Sequence, residues 1–364
     1  MTTEEREARA PEAAASRDGA LESARPDPQG RAAAAQRGAA ERSWIMMGDP
    51  THFSVKGGAN PHTRTRWGLR RRVDRALAVK QWQRLRDTLV DLGIRVLVVA
   101  PDPAQPGLVY PANAGFMRGV DVPQPLAERR FHLANLLPSR AGERPHYRRT
   151  LQVAGIACFE VDPAYRFEGE ADFFPAGDVY LLTHGRLERQ RFVPALGLPP
   201  WKRLYGFRTD ERVAPVLQSI VGGNRKILRI GLERETHYHG DTALCGFGPG
   251  RRFLLAWGPA LEPAGLGRLR ERFRENLIEI EADDAARYAA NSFSYTPAGG
   301  SESFLVMPTG VSEPLLGQIR DRGVTPLCVD VSEFLKKGGG SVKCMIGDLG
   351  VMAEAREDPD VRTP

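Results

Sequence analysis

Cys344 is the residue whose sequence neighbours best suit covalent chemistry. It follows Gly338-Gly339-Gly340-Ser341-Val342-Lys343, and a run of glycines costs backbone entropy unless the chain turns sharply or passes close to another group. The thiolate is the nucleophilic form of cysteine and a nearby cation favours it, so Lys343 is expected to lower the pKa of Cys344. The remaining cysteines are expected to be small apolar residues of the core, namely Cys158, Cys245 and Cys328.

A second group of reactive side chains lies in the acidic segment Phe167-Glu168-Gly169-Glu170-Ala171-Asp172-Phe173. Carboxylates this close disfavour one another's ionisation unless a cation lies among them. A metal ion and an organic cation such as guanidinium are both candidates, and a solvated acidic loop is the alternative without function. The flanking phenylalanines favour a buried segment and therefore a binding role for its three carboxylates.

A third group is the segment Tyr238-His239-Gly240-Asp241-Thr242, which follows His237. On a β-strand, His237, His239 and Asp241 would face the same side, because side chains alternate. Such a set could bind a metal ion, which would indicate a metal-dependent hydrolase. Alternatively, one histidine acts as a general acid and base, with a neighbouring carboxylate setting its protonation state. The residues by themselves leave both interpretations open.

The elements that must position these groups recur as helix, turn and apolar strand. In the first unit, Trp82, Leu85 and Leu89 share one helical face, and Gly93 is placed as a helix C-cap. Five such units are predicted, with helix and strand at 81–92 and 94–100, 146–153 and 156–161, 213–220 and 226–232, 266–273 and 276–280, and 315–319 and 324–331. Further strands are expected at 179–183, 253–257 and 304–307. Regular recurrence favours one α/β domain of five modules around a central axis, with a doubly wound parallel sheet as the alternative.

Composition excludes several classes of protein. The chain has 364 residues, 41% of them hydrophobic, and its net charge of +6 comes from arginines spread along the sequence rather than from a basic block, so no nucleic-acid partner is expected. Its four cysteines lack regular spacing, which excludes a disulfide framework. No apolar stretch is long enough to span a membrane, and the N-terminus lacks the apolar core of a signal peptide, so a cytoplasmic location is expected.

Three segments are predicted along the chain. Residues 1–43 are rich in Ala, Arg, Glu, Gly and Pro, and they carry too few apolar residues to offset the entropy of ordering. They are predicted to be a disordered, low-complexity tail, with an interaction arm as the alternative. The catalytic domain is predicted to span 44–352, and 353–364 to form a short C-terminal tail.

Together, the motifs resemble the guanidino-group modifying superfamily, which includes dimethylargininases, arginine deiminases and amidinotransferases. The resemblance extends from about residue 46 to 350, and each motif is weak by itself but their order is specific. The similar segments are Met47–Val55, Val109–Gly115, Glu168–Asp172, Gly206–Asp210, Tyr238–Thr242 and Gly338–Cys344. The resemblance implies the five-bladed αβ propeller called the pentein fold, in agreement with the five predicted units.

The resemblance also implies roles for the site residues. Cys344 would attack the guanidinium carbon to form a covalent thiouronium intermediate, and His239 would protonate the departing amine and then deprotonate the incoming nucleophile. Either Glu168 or Asp172 would orient His239. The substrate-binding residues would be Asp241, Arg208, Asn113 and Glu170, with Arg208 holding a carboxylate of the substrate. Neither a metal nor an organic cofactor is expected.

Two departures from the family pattern bear on the substrate. Gly107 stands where the family has an aspartate, and Gly240 replaces a leucine in the histidine motif. Hydrolysis of an arginine-class compound to a ureido product is favoured, with amidino transfer to an amine and a non-catalytic binding protein as alternatives. The expected partner is a small guanidino substrate, and a homodimer is an open alternative for the assembly.

Overall fold

The computed structural model describes residues 41–55, 60–63, 65, 69–187, 191–195, 198–223 and 225–353, of which 191–195 and 198–204 are described by their backbone alone. The first strand begins at Glu41, three residues before the predicted start of the catalytic domain, and the last strand ends at Ala353. The rest of both predicted tails lies outside the described residues.

Seven helices and eighteen strands form the described part of the chain. The helices are α1 (Arg75–Asp91), α2 (Arg144–Val153), α3 (Ala214–Val221), α4 (Pro263–Phe273), α5 (Ala282–Ala286), α6 (Glu313–Arg320) and α7 (Ser332–Gly338). The strands are β1 (Glu41–Gly48), β2 (Arg95–Val99), β3 (Gly115–Met117), β4 (Gln124–Pro125), β5 (Arg130–Leu133), β6 (Ala157–Glu160), β7 (Phe173–Ala176), β8 (Val179–His184), β9 (Arg191–Ala195), β10 (Leu198–Leu204), β11 (Lys226–Gly231), β12 (Leu244–Phe247), β13 (Phe253–Ala256), β14 (Leu277–Glu279), β15 (Phe293–Tyr295), β16 (Ser303–Pro308), β17 (Val324–Val329) and β18 (Gly347–Ala353).

Five modules share one topology, in which an antiparallel strand pair is followed by a helix and a third strand parallel to the second. Four of them are continuous in sequence: β3-β5-α2-β6, β7-β8-α3-β11, β12-β13-α4-β14 and β15-β16-α6-β17. The fifth joins the two ends of the described chain, because β18 pairs antiparallel with β1, and β1 runs parallel to β2 after α1. All five predicted helix–strand units are therefore confirmed.

The helix of each module follows from its sequence pattern, as α1 illustrates. Asp74 caps its N-terminus by accepting a hydrogen bond from the Leu77 amide at 3.0 Å. Trp82, Leu85 and other apolar residues on one face are buried. Gly93, with φ at +85°, then turns the chain into β2.

Among the described residues, the hydrophobic core consists of five clusters, and each lies between two consecutive modules. For example, Phe116 and Leu182 share a cluster between the first and second modules. A second cluster joins the second module to the third, and another joins the third to the fourth. Ile45 and Val306 share the cluster between the fourth and fifth modules. The ring closes where Met46 of the fifth module packs in one cluster with Phe131 of the first.

Short 3-10 turns precede the first strands of four modules, at Pro111–Asn113, Gly169–Ala171, Gly240–Thr242 and Lys343–Met345. Contacts link the first of these turns to the second and fourth, and the second to the third. Four groups of predicted site residues therefore meet although the sequence separates them widely.

Two local predictions were wrong. The segment around His239 is not a strand but two 3-10 turns, Glu235–His237 and Gly240–Thr242, so the expected common face does not exist. Cys328 is exposed rather than buried, because it lies on the outer strand β17, and Cys158 is only half-buried. Within the described ranges, no helix is both long enough and apolar enough to cross a membrane.

Candidate active site

The glycine run before Cys344 is explained by close packing around the turn. Gly339 has φ at +65°, and a Cβ there would lie 2.7 Å from the His62 ring. A Cβ on Gly340 would lie 2.9 Å from the Tyr110 ring and 3.0 Å from the Cβ of Cys344. Side chains at either position would therefore displace the turn that carries the thiol, as the sequence predicted for this run.

The Cys344 thiol lies between a carboxylate and an amide. Its Sγ donates to Asp241 Oδ2 at 3.2 Å, and Asn291 Nδ2 donates to the same sulfur at 3.2 Å. Burial and the adjacent Asp241 carboxylate raise the pKa of Cys344 well above its ordinary value. In the protein without bound substrate, Cys344 is therefore expected to be a neutral thiol rather than a thiolate.

Lys343 does not activate the thiol as expected. Its ammonium pairs with Glu170 Oε1 at 2.8 Å and donates to the Ile346 carbonyl at 3.1 Å. Its favourable effect on the thiolate is smaller than the opposing effects of burial and Asp241, so the predicted net lowering of the pKa of Cys344 was wrong. Glu170 also accepts from the Asp348 amide at 2.7 Å, which places it in a structural contact beneath the turn.

His239 lies between the two other acids of the acidic segment. Its Nδ1 is 3.0 Å from Asp172 Oδ2, and its Nε2 is 3.3 Å from Glu168 Oε2. Both acids therefore pair with the imidazole, one at each ring nitrogen, which answers the question that the sequence left open. Asn113 Nδ2 lies 3.2 Å from the same Nε2, so Asn113 also belongs to this cluster.

Hydrogen bonds fix the Asp172 carboxylate in place. Thr183 Oγ1 donates to Oδ1 at 2.8 Å, and the Gly240 amide donates to Oδ1 at 3.0 Å. Thr209 Oγ1 donates to Oδ2 at 2.7 Å. Because Asp172 has these three donors besides His239, its orientation is determined and it in turn sets the orientation of the imidazole.

The electrostatics of the cluster favour an imidazolium between carboxylates. Burial alone would lower the pKa of His239, but Asp172 and Glu168 outweigh it and raise the pKa to about 9. Burial would raise the pKa of Glu168, but His239, Arg140 and Arg208 lower it to about 2. Burial also raises the pKa of Asp241 to about 6. His239 therefore carries a proton at neutral pH that it can donate.

A cavity of about 480 Å³ opens above this cluster. His239 and Glu168 form part of its wall, and Arg208, buried with its guanidinium 4.8 Å from the Tyr238 ring centroid, forms another part. Arg140 also lines the cavity, with Nη1 3.7 Å from Glu168 Oε2. The cavity thus combines acidic groups near the histidine with two guanidinium groups.

The space beside Gly107 is filled by a different acid. A Cβ on Gly107 would lie 1.9 Å from Glu143 Oε1. Glu143 accepts two hydrogen bonds from Arg140, at 3.0 Å and 2.7 Å, and one from the Tyr147 hydroxyl at 3.1 Å. Glycine at 107 therefore makes room for the Glu143–Arg140 pair at the cavity wall.

The structure brings together Cys344 with Asp241, and His239 with Glu168, Asp172 and Asn113. Arg208 lines the adjoining cavity, whereas Glu170 is paired with Lys343. Sequence reasoning missed Arg140, Asn291 and the threonines that bind Asp172. A signal for Asn291 existed, because Ala290-Asn291 precedes the first strand of its module as Ala112-Asn113 does in another.

The metal-site interpretation has no support in the observed geometry. His237 packs against the Tyr288 ring with centroids 5.1 Å apart, whereas His239 pairs with Asp172. Over the described ranges of the chain, no group of three or more His, Cys, Asp or Glu side chains is arranged to hold a metal ion.

Comparisons with known proteins identify relatives of similar sequence. No family model matches the chain. A dimethylarginine dimethylaminohydrolase of Mycobacterium tuberculosis is 28% identical over 299 residues, which are 82% of this chain and 83% of that protein. The bifunctional arginine dihydrolase/ornithine cyclodeaminase AgrE of Nostoc sp. is 29% identical over 302 residues, which are 83% of this chain and 37% of AgrE.

Among solved structures, the N-terminal domain of ArgZ, an arginine dihydrolase of cyanobacteria, is similar with a TM-score of 0.68. The superposition covers 86% of this chain and 100% of that domain at 22% identity. At this identity the likeness establishes the fold, which agrees with the ring of five modules described above.

Proposed function

We propose that the chain is a member of the guanidino-group modifying superfamily and an amidinohydrolase acting on an arginine-class guanidino compound, in agreement with its similarity to a dimethylarginine dimethylaminohydrolase and to the arginine dihydrolase AgrE. One observation carries the proposal: a buried cysteine thiol lies 3.2 Å from a buried carboxylate, in turns that join a histidine held by two further carboxylates. Cleavage of a planar cation by thiolate attack requires a thiol as nucleophile, carboxylates that bind the cation and a histidine that transfers protons.

In the proposed complex, carboxylates of the site would bind the guanidinium of the substrate, and arginines would bind the opposite end of the substrate. Asp241 Oδ1 is buried without a hydrogen-bond partner, so it can accept from a guanidinium nitrogen. Arg208 and Arg140, which line the same cavity, would bind a carboxylate of the substrate. A bound cation would also offset the two effects that disfavour the thiolate of Cys344, namely burial and the Asp241 charge.

The chemistry would then proceed in two stages. The Cys344 thiolate forms a bond from Sγ to the guanidinium carbon, and the proton of His239 passes to the departing amine as the carbon–nitrogen bond breaks. The resulting thiouronium group keeps the remaining nitrogens. His239, now neutral, removes a proton from water as its oxygen attacks the same carbon. Cleavage of the carbon–sulfur bond, with loss of the remaining hydroxyl proton to solvent, releases a neutral ureido product and regenerates the thiolate and the protonated His239.

Intact-protein mass spectrometry with 2-chloroacetamidine tests the proposal. This amidine mimics guanidinium and alkylates a thiolate that binds it, so we expect one adduct per chain in the wild type and none in Cys344→Ser. Products from arginine, methylated arginines and agmatine would then identify the substrate, and further breakdown of the ureido product would distinguish a dihydrolase. The absence of an adduct, or labelling that persists in Cys344→Ser, would favour a non-catalytic binding protein.

The alternatives from the sequence can be distinguished in the same assays. An amidinotransferase would require an added amine for turnover, whereas a hydrolase would not. A metal-dependent hydrolase would lose activity with a chelator and retain it in Cys344→Ser. The cytoplasmic location and the homodimer remain proposals, which fractionation and light scattering would test.

A further inference from the structure

Asn291 is a buried residue that the reaction as described does not use, although its side chain donates to both the Cys344 sulfur and the Asp241 carbonyl. It lies two residues before β15 in a turn. The backbone amide of Asn291 stabilises this turn by donating to the Tyr288 carbonyl at 2.8 Å. Its side chain is fully buried between the fourth and fifth modules, and hence cannot exchange its partners for solvent.

One face of the Asn291 amide group fixes the turn that carries the thiol. Its Oδ1 accepts from the Ser341 amide at 2.7 Å and from the Cys344 amide at 3.2 Å. The backbone carbonyl of Asn291 also accepts from the Lys343 amide at 3.1 Å. Three backbone donors of the segment 341–344 thus end on one residue, which determines the position of Cys344 Cα.

The other face of the amide group meets the reacting atoms. Asn291 Nδ2 donates to Cys344 Sγ at 3.2 Å and to the Asp241 carbonyl at 3.0 Å. Asp241 in turn accepts from the same sulfur. When Cys344 loses its proton, its contact with Asp241 becomes repulsive, whereas the N–H of Asn291 still points to a sulfur that is now negatively charged.

We propose that Asn291 is the positioning residue of the nucleophile: it fixes the turn 341–344 relative to Asp241 and donates the hydrogen bond that stabilises the Cys344 thiolate. The inference rests on the proposed function for the identity of the nucleophile. Burial and Asp241 both oppose the thiolate, whereas the hydrogen bond from Asn291 Nδ2 to the sulfur favours it. Because hydrogen bonds to charged groups are stronger than neutral ones, the loss of this donor is expected to reduce the thiolate population about 10-fold to 150-fold.

The test compares Asn291→Ala and Asn291→Asp with Ser292→Ala as the matched control. Asn291→Asp keeps an acceptor oxygen for the two amides, whereas Asn291→Ala removes both functions. Ser292 is equally buried in the same turn, and its hydroxyl donates to the Ala289 carbonyl at 2.7 Å, so its loss loosens the turn without touching the sulfur.

The readout is the rate of Cys344 alkylation by iodoacetamide between pH 6 and 10, with circular dichroism to confirm folding. Asn291→Ala should react about 10-fold to 150-fold more slowly below the pKa of the thiol, with kcat reduced more than KM. Asn291→Asp should react at least as slowly, because it also places a second carboxylate beside the sulfur. Ser292→Ala should follow the wild-type pH curve. If one Asn291 variant does not fold, the other gives the same comparison.

Wild-type alkylation rates in a folded Asn291 variant would overturn the inference, as would an equal decrease in Ser292→Ala. That result would leave the proposed function standing, provided that wild-type Cys344 is labelled by 2-chloroacetamidine. If wild-type Cys344 is not labelled by the amidine, the proposed function fails instead. The two failures are therefore distinguishable.

Discussion

Asp172→Asn is expected to remove a pH-dependent part of the stability that His239 contributes. In the folded protein His239 Nδ1 lies 3.0 Å from Asp172, and burial prevents water from replacing this carboxylate. Asparagine has nearly the same shape but no charge. The variant therefore tests the electrostatic interaction with the imidazolium rather than the packing of the side chain.

The magnitude follows from the pKa of His239, which is about 9 in the folded protein and 6.5 for an ordinary histidine. A raised pKa in the folded state gives stabilisation that is fully present below pH 6.5 and is lost as the pH rises through 9. At 1.36 kcal/mol for each pKa step, the full effect is about 3 kcal/mol. Because Asp172 raises the pKa of His239 more than Glu168 does, we expect Asp172→Asn to remove at least about 1.5 kcal/mol of it.

Urea unfolding at several pH values from 6 to 10 measures this difference. The matched control is Asp284→Asn, since Asp284 is a buried acid that accepts from the Ser312 amide and hydroxyl, each at 2.7 Å, instead of from a histidine. The loss of stability in Asp172→Asn should be larger at pH 6 than at pH 10, whereas the loss in Asp284→Asn should be constant. Equal losses in Asp172→Asn at both ends of the range would refute the assignment of Asp172 as the counter-charge of His239.

Three further substitutions test the site. His239→Ala should lower turnover about 10²-fold to 10⁴-fold while iodoacetamide still labels the thiol; near-normal steady-state turnover would exclude His239 as the general acid. Arg208→Ala should raise KM for arginine but not for agmatine, which has no carboxylate, and an equal rise for both would contradict the assigned role. Gly107→Ala should lower the free energy of unfolding by about 1–3 kcal/mol, because its Cβ would meet Glu143 at 1.9 Å. Gly223→Ala, with nothing within 4 Å of its Cβ, should change stability by less than about 0.5 kcal/mol, and equal losses would contradict the steric argument.

Much of the architecture was predictable because it depends on local patterns. The apolar face of α1 and the glycine after it are properties of a short segment. The glycine with positive φ recurs after the helix in four of the five modules, and Arg274, with φ at +47°, takes its place after α4. The chemically capable residues Cys344 and His239 also stand out by type and by their neighbours. The segment around His239 was predicted wrongly as a strand, because alternation of polar residues over five positions does not distinguish a strand from successive 3-10 turns.

The partners of these residues were decided only by the closed ring of modules. His239 and Asp172 are 67 positions apart in the sequence, and Cys344 and Asp241 are 103 apart. Lys343 is adjacent to Cys344, yet its ammonium pairs with Glu170, because the turn directs neighbouring side chains to different partners. The sequence by itself thus determined the repeated modules and which residues have suitable chemistry. The tertiary structure determined which atoms meet, because contacts between different modules depend on how the ring closes and not on local propensity.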